Sequence, residues 1–447
     1  METTKQSKLS SGALGGDIQA RVQETLLVDT HEHIWEERLR VKGAAGPSHL
    51  PAPDFGLLMM HYTDSDLQVS GMPAADFQRL LAYGVEPLEK WRLVAPYYAR
   101  CRNTGYQMCV RETIRALYGE EDIREDNCER ISQRVAAAIQ PGFYRHLLRD
   151  VAKIEYAQVN SLETPVFMET AQPDLLCQDI STVALSTGLD IAGVCKVANR
   201  EAADLKQWHG VIDWCFETYG PRAIAVKNQS AYNRRLNYDR VSEEEAAPLF
   251  ARYVKEPHGL SAAELKALQD HLFHYCVEKA TEYKLPVKLH TGYYAGHNGM
   301  PLERLRQNAG DLCPVLQAHP NAMFVLMHID YPYQDEAIAL AKHYANAYVD
   351  MCWAWIINPV AGVRFMKECL AAAPVHKLFT FGGDYMPAEL SVGHAAVARR
   401  GIARTVTELA EEGWLEDAEA PALIERVMRG NAHELYDYDR AVSHWRK

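Results

Sequence analysis

The residues of this chain best suited to chemistry are histidines and one aspartate that end short apolar runs. His31-Glu32-His33 closes the run TLLVDTHEHIW, His290 closes PVKLHTG, His328 closes MFVLMHIDY, and Asp384 falls in LFTFGGDYM. In extended chain, residues two apart point the same way, so both imidazoles of His31 and His33 can face one ion. Lys227 sits near the end of a further run, AIAVKNQ. Neutral imidazoles with a carboxylate are the ligand set of Zn²⁺ or a similar divalent cation. Each residue alone has a plainer explanation. A His-x-His pair arises by chance among 18 histidines, and a histidine at a strand end is more often simply hydrogen-bonded. Asp384 could cap the helix that follows it, and Lys227 could bind a substrate anion or snorkel at a rim. Their recurrence in order at the ends of separate runs is what argues for one centre.

Those runs must be strands for the argument to hold. The pattern predicts a first strand from about Glu24 into the His-x-His. Seven more are predicted at 153–160, 190–198, 223–229, 286–292, 323–331, 347–355 and 378–386, separated by amphipathic segments such as SAAELKALQDHLFHYCVEKATEYK and YQDEAIALAKHYANA. Apolar strands alternating with helices imply parallel βαβ units, and eight of them close most simply into a barrel, because an open sheet leaves two edges. The expected fold is therefore α/β, a TIM-type (β/α)₈ barrel with a helical insertion after the first strand. The insertion covers about 45–150, where helical periodicity runs without a strand. Residues 1–17 are polar and rich in Gly and Ser, the composition of a disordered arm, leaving 18–447 as the barrel domain. His31, His33, Lys227, His290, His328 and Asp384 all fall at carboxyl ends of predicted strands, the face on which such barrels assemble active sites.

Composition narrows the class. The 447 residues are 48% hydrophobic and 24% charged, with a formal net charge of −12. That acidic balance argues against nucleic acid or an anionic membrane as the main partner. The ten cysteines run from Cys101 to Cys369 without a CxxC pair, which reads as buried thiols in a reducing compartment. The opening residues contain no apolar stretch of signal-peptide type, and no run of eighteen apolar residues exists. A cytoplasmic protein with a small-molecule substrate is expected, assembling as a homo-oligomer.

With these motifs in hand, the sequence resembles the amidohydrolase superfamily of metal-dependent TIM-barrel hydrolases. It resembles most the amidohydrolase-2 type, related to the N-terminal part of fungal FluG-like proteins and more distantly to uronate isomerase. The family pattern places His-x-His on the first strand, Lys or Glu on the fourth, His on the fifth and sixth, and Asp on the eighth. These fall on His31, His33, Lys227, His290, His328 and Asp384. VDTHEHI, VKNQSAYNRRL, KLHTGYY, GGDYMP and VMRGNAHELY carry further local likeness, over roughly 20–440. Two centres follow from the resemblance. In one, a single ion, most simply Zn²⁺, is held by His31, His33, His290 and Asp384, and His328 polarises the substrate. In the other, a carbamylated Lys227 bridges two ions, with His290 and His328 on the second. The implied reaction is hydrolysis of an amide or related C–N or ester bond by activated water. Asp384 then carries the proton, and His328 or the ion meets the developing oxyanion. Arg234 and Tyr232, in the AYNR stretch, are the expected substrate binders, which implies a carboxylate-bearing substrate. By composition alone, Arg234 could equally pair with surface acids. Glu32 is expected to point away from the ion. Non-oxidative decarboxylation and sugar-acid isomerisation are alternatives on the same centre, and a non-catalytic interaction module is the alternative of another class.

Overall fold

In a computed structural model that describes residues 11–445, eight parallel strands follow one another in chain order around a barrel. They are β1 (Leu27–Glu32), β2 (Ile154–Val159), β3 (Leu176–Ser181), β4 (Ala225–Asn228), β5 (Val287–His290), β6 (Phe324–Met327), β7 (Ala347–Asp350) and β8 (Leu378–Phe379). Each pairs with the next in parallel register, as Val226 with Val287 and His290 with Met327. The last gap, between β8 and β1, is spanned by the chain beyond β8. The Thr30 amide donates to the Phe381 carbonyl (3.0 Å), Asp384 to His31 (2.9 Å) and His33 to Tyr385 (3.0 Å). This brings Asp384 beside the His-x-His, because the segment that completes the barrel is also the one that carries the carboxylate.

The barrel interior is polar toward its carboxyl end. Asp29, Asp179, Asp350, Lys227 and Lys288 are all buried there. Lys288 Nζ donates to both Asp179 oxygens (3.0 and 2.8 Å) and to the Thr30 carbonyl (2.8 Å). The opposite end is closed by an apolar plug of Val28, Tyr156, Ala225, Val325, Phe379 and Tyr436. Buried charges survive only when paired, and this pairing lies directly beneath the candidate centre.

One predicted strand was misplaced. The run at 190–198 is a helix, Ile191–Ala198, capped by the Asp190 carboxylate on the Gly193 amide (2.9 Å) and ended by Asn199 at φ 50°. A short apolar run has no period that separates a buried strand from a helix, and here the aspartate cap decides. The third strand is instead LCQDIS, where Gln178 and Asp179 break the apolar pattern as loop residues would, although both are buried.

Between β1 and β2 lies a run of helices, among them Thr63–Val69, Gly105–Tyr118 and Cys128–Ala138, in the expected place of the insertion. It is tied to the barrel by the buried Arg40–Glu389 pair (2.9 and 2.6 Å), which reaches the long helix Ala388–Glu411. Where composition predicts an arm over 1–17, a helix begins at Ser11 and runs to Glu24; residues 1–10 lie outside those described. No helix among the described residues is long and apolar enough to cross a membrane.

Candidate metal centre

His31 and His33 leave the end of β1 and meet Asp384 from the far side of the barrel seam. Asp384 Oδ1 is 3.3 Å from His31 Nε2 and 3.4 Å from His33 Nε2. All three side chains are buried. The tautomer of His33 follows from its neighbour: Nδ1–H donates to the Asn160 carbonyl (2.6 Å), so Nε2 carries a lone pair. Asp384 Oδ1 has no hydrogen-bond partner. Burial holds His31 well below the usual imidazole range and His33 at about 3, so both stay neutral. The His33 lone pair and the unpartnered Asp384 oxygen converge without a hydrogen between them, and with the His31 imidazole beside them this donor set suits a divalent metal.

Two glycines make the turn at Asp384 possible. A Cβ on Gly383 would lie 1.9 Å from Glu32 Oε1, and one on Gly382 would lie 2.9 Å from Cys352 Sγ. Glu32 faces away from the two histidines as expected, accepting from the Tyr385 amide (2.6 Å) and the Ser391 hydroxyl (2.5 Å). Asp384 itself sits at φ 63°, a left-handed conformation that aspartate tolerates better than most residues. Burial raises its carboxyl to about 7, opposed by Lys227.

The other expected residues divide. His328 is brought in: its ring stands 6.5 Å from that of His31, its Nδ1–H donates to the Cys352 carbonyl (3.1 Å), and its Nε2 has no partner. Lys227 Nζ lies 3.2 Å from His31 Nε2 and 3.1 Å from Met327 Sδ, with burial lowering the ammonium pKa. His290 lies beside His328 (ring centroids 4.4 Å apart), but its Nε2 is turned to the Tyr293 carbonyl at 2.8 Å. Tyr232 packs on His290 (4.5 Å) and lines a cavity of about 710 Å³ together with Asn233, Tyr293, Tyr294, His297 and Asn298. Arg234 does not reach that cavity wall. It bonds Gln269 (3.1 Å) and Asp270 and lies over the Tyr238 ring, while Arg235 pairs with Asp311. The expected guanidinium fork of Arg234 is thus committed to Asp270 on the helix Ala262–Glu282.

Sequence reasoning missed three neighbours of the centre. His61 and Tyr62 come from the insertion. The His61 ring lies 6.3 Å from that of His33, and the Tyr62 hydroxyl donates to the Asp384 carbonyl (2.6 Å) while stacking on Trp353 (4.3 Å). Nothing local marks them, since only tertiary packing delivers them. The third is Cys352, two residues beyond Asp350 at the end of β7, a spacing that could have pointed to it.

Residues 240–438 match the profile of the family described as Amidohydrolase. Protein fluG of Emericella nidulans is 24% identical over 228 residues, a match spanning 48% of this chain and 26% of fluG, so about a quarter of that protein's length is represented. Among solved structures, uronate isomerase of Thermotoga maritima overlays with a TM-score of 0.74 at 15% identity, covering 96% of this chain and 99% of its own. Glucuronate isomerase of Caulobacter crescentus overlays with a TM-score of 0.76 at 17% identity, covering 98% and 97%. The chain thus has the eight-stranded TIM-barrel fold of these solved structures, and over residues 240–438 it is similar to the Amidohydrolase family.

Proposed function

We propose that this chain is a metal-dependent hydrolase that cleaves a C–N or ester bond of a small polar substrate, at a centre formed by His31, His33 and Asp384. The observation that carries the reading is the unpartnered Asp384 oxygen facing two imidazole nitrogens at 3.3 and 3.4 Å. A divalent cation, most simply Zn²⁺, would supply a Lewis acid for water and for a substrate oxygen. The protein's own part is positional and protonic. Asn160 and Cys352 carbonyls fix the tautomers of His33 and His328, so that each presents Nε2 inward. Asp384 is the proton carrier, taking a proton at its carboxylate and returning it to the leaving group. His328, buried and neutral, stands where a developing oxyanion would need support. The substrate enters over Tyr232 and Tyr293 from the cavity, whose tyrosine, asparagine and histidine side chains offer hydrogen bonds. With Arg234 engaged by Asp270, a carboxylate on the substrate is not required by the geometry.

Sugar-acid isomerisation is the second reading. It is favoured by the overlay of two uronate-type isomerases along nearly the whole chain, insertion included. A single set of assays separates the two. The metal-stripped protein is reloaded with Zn²⁺, Mn²⁺ or Co²⁺ and offered N-acyl amino acids, lactones and hexuronates, with products followed by NMR. Amine or acid release supports hydrolysis, and a ketose product from a hexuronate supports isomerisation. Asp384→Asn should lower turnover by about 10²–10⁴-fold. Full activity without metal, or in Asp384→Asn, defeats both readings.

A further inference from the structure

Beside the His31–His33 group, a second set of donors converges on Asp384. Single ligand atoms of His328, Cys352 and Asp384 all lie within 4.8 Å of one another, and all three residues are buried. Cys352 is the one cysteine in such a group among the described residues. We propose that His328, Cys352 and Asp384 form a second, thiolate-containing cation site that shares Asp384 with the first and takes a thiophilic divalent metal such as Zn²⁺ or Co²⁺. The proposal rests on the reading of the first centre, because Asp384 belongs to both.

The surroundings prepare each donor. His328 gives its Nδ1 proton to the Cys352 carbonyl (3.1 Å), which leaves a lone pair on Nε2, a buried atom with no partner. One residue thus supplies a ligand and orients its neighbour. Cys352 is in turn held by its amide on Asp350 Oδ1 (2.8 Å), and its side chain lies against Gly382 where no Cβ would fit. Its position is therefore set by the Asp350 carboxylate on one side and the Gly382 backbone on the other. Sulfur makes the site selective: thiolate with imidazole favours Zn²⁺ or Co²⁺, whereas Mg²⁺ and Ca²⁺ prefer oxygen. On binding, the S–H bond breaks, its electron pair goes to the metal, and the proton leaves to solvent. Two ions can thus be linked through Asp384 without a carbamylated Lys227, whose amine lies against His31 and Met327.

The test uses the full-length protein, stripped of metal and titrated with Co²⁺. Bound equivalents are counted by elemental analysis, and thiolate-to-cobalt charge transfer is read in the near ultraviolet. The wild type should bind two equivalents with the charge-transfer band. Cys352→Ser and His328→Asn should each bind one equivalent without the band, and His33→Asn should keep it. X-ray absorption of the zinc-loaded wild type should show sulfur at about 2.3 Å, a measurement that needs no variant to fold. A single equivalent, absence of sulfur, or a band that survives in Cys352→Ser overturns the second site while leaving the first. No cation bound by the wild type overturns both.

Discussion

Replacing Lys288 with methionine tests whether the buried charge pair under the centre is structural or merely present. Lys288 and Asp179 are fully buried, and the ammonium makes contacts of 2.8, 3.0 and 2.8 Å to Asp179 and the Thr30 carbonyl. Hydrogen bonds to a charged group contribute roughly 1.5–3 kcal/mol each, so three sum to about 4.5–9 kcal/mol. Against this, methionine relieves the cost of burying an ammonium. Breaking one side of a buried pair leaves a net loss of about 3–5 kcal/mol, a large part of the ~5–15 kcal/mol that stabilises a domain. Urea unfolding should show this loss in Lys288→Met, and Lys288→Met with Asp179→Leu should recover most of it, since neither charge is then orphaned. The pH dependence has a definite sign. Burial already raises the Asp179 carboxyl, with Lys288 opposing, so the variant raises it further. A folded-state carboxyl above its unfolded value of ~3.9 binds more protons in the native state, so stability falls as pH rises. The deficit of Lys288→Met relative to wild type should therefore shrink from pH 8 to pH 5. Asp179 Oδ2 also lies 3.9 Å from His31 Nδ1, so the double variant, though stable, should bind metal about 10–100-fold more weakly. A single variant that loses less than about 1 kcal/mol, or a double variant less stable than the single, would refute the reasoning.

Gly383→Ala forces a methyl to within 1.9 Å of Glu32 Oε1 and must displace a carboxylate held by the Tyr385 amide and the Ser391 hydroxyl, at a cost of about 2–4 kcal/mol. Urea unfolding checks it together with metal titration, and an unchanged midpoint would show that Glu32 is not fixed as described. Arg234→Met removes a partner of the buried Asp270, which keeps Lys266, so about 2 kcal/mol of stability should be lost while KM moves less than about threefold. A tenfold rise in KM with stability intact would return Arg234 to the substrate.

How far the sequence could be read depended on one ambiguity, the meaning of a polar residue inside an apolar run. On β1, β4 and β5 the interruptions (His31, Lys227, His290) fall at the carboxyl end of the barrel, where the structure gathers His31, His33 and Asp384 at one seam and sets Lys227 and His328 close by. A local motif does not say which way a loop turns, and Arg234, expected at the substrate, pairs with Asp270 in the structure. On β3 the same kind of interruption, Gln178 and Asp179, conceals the strand, while an uninterrupted run one segment later has a strand's pattern and is helical. The difference lies in tertiary pairing. Asp179 is acceptable inside the barrel because Lys288, more than a hundred residues away, neutralises it, and no window of sequence contains both. Cys352 illustrates the converse: a cysteine at the end of an apolar strand reads as core, and it becomes a candidate ligand only when His328 and Asp384 are seen to face it. A barrel of this kind hides its chemistry in residues whose partners are distant in sequence. The residues legible from spacing are therefore those that could share an ion, since each strand end would have to supply its own ligand independently. Those that act by holding another residue in place stay silent until the fold brings the pair together.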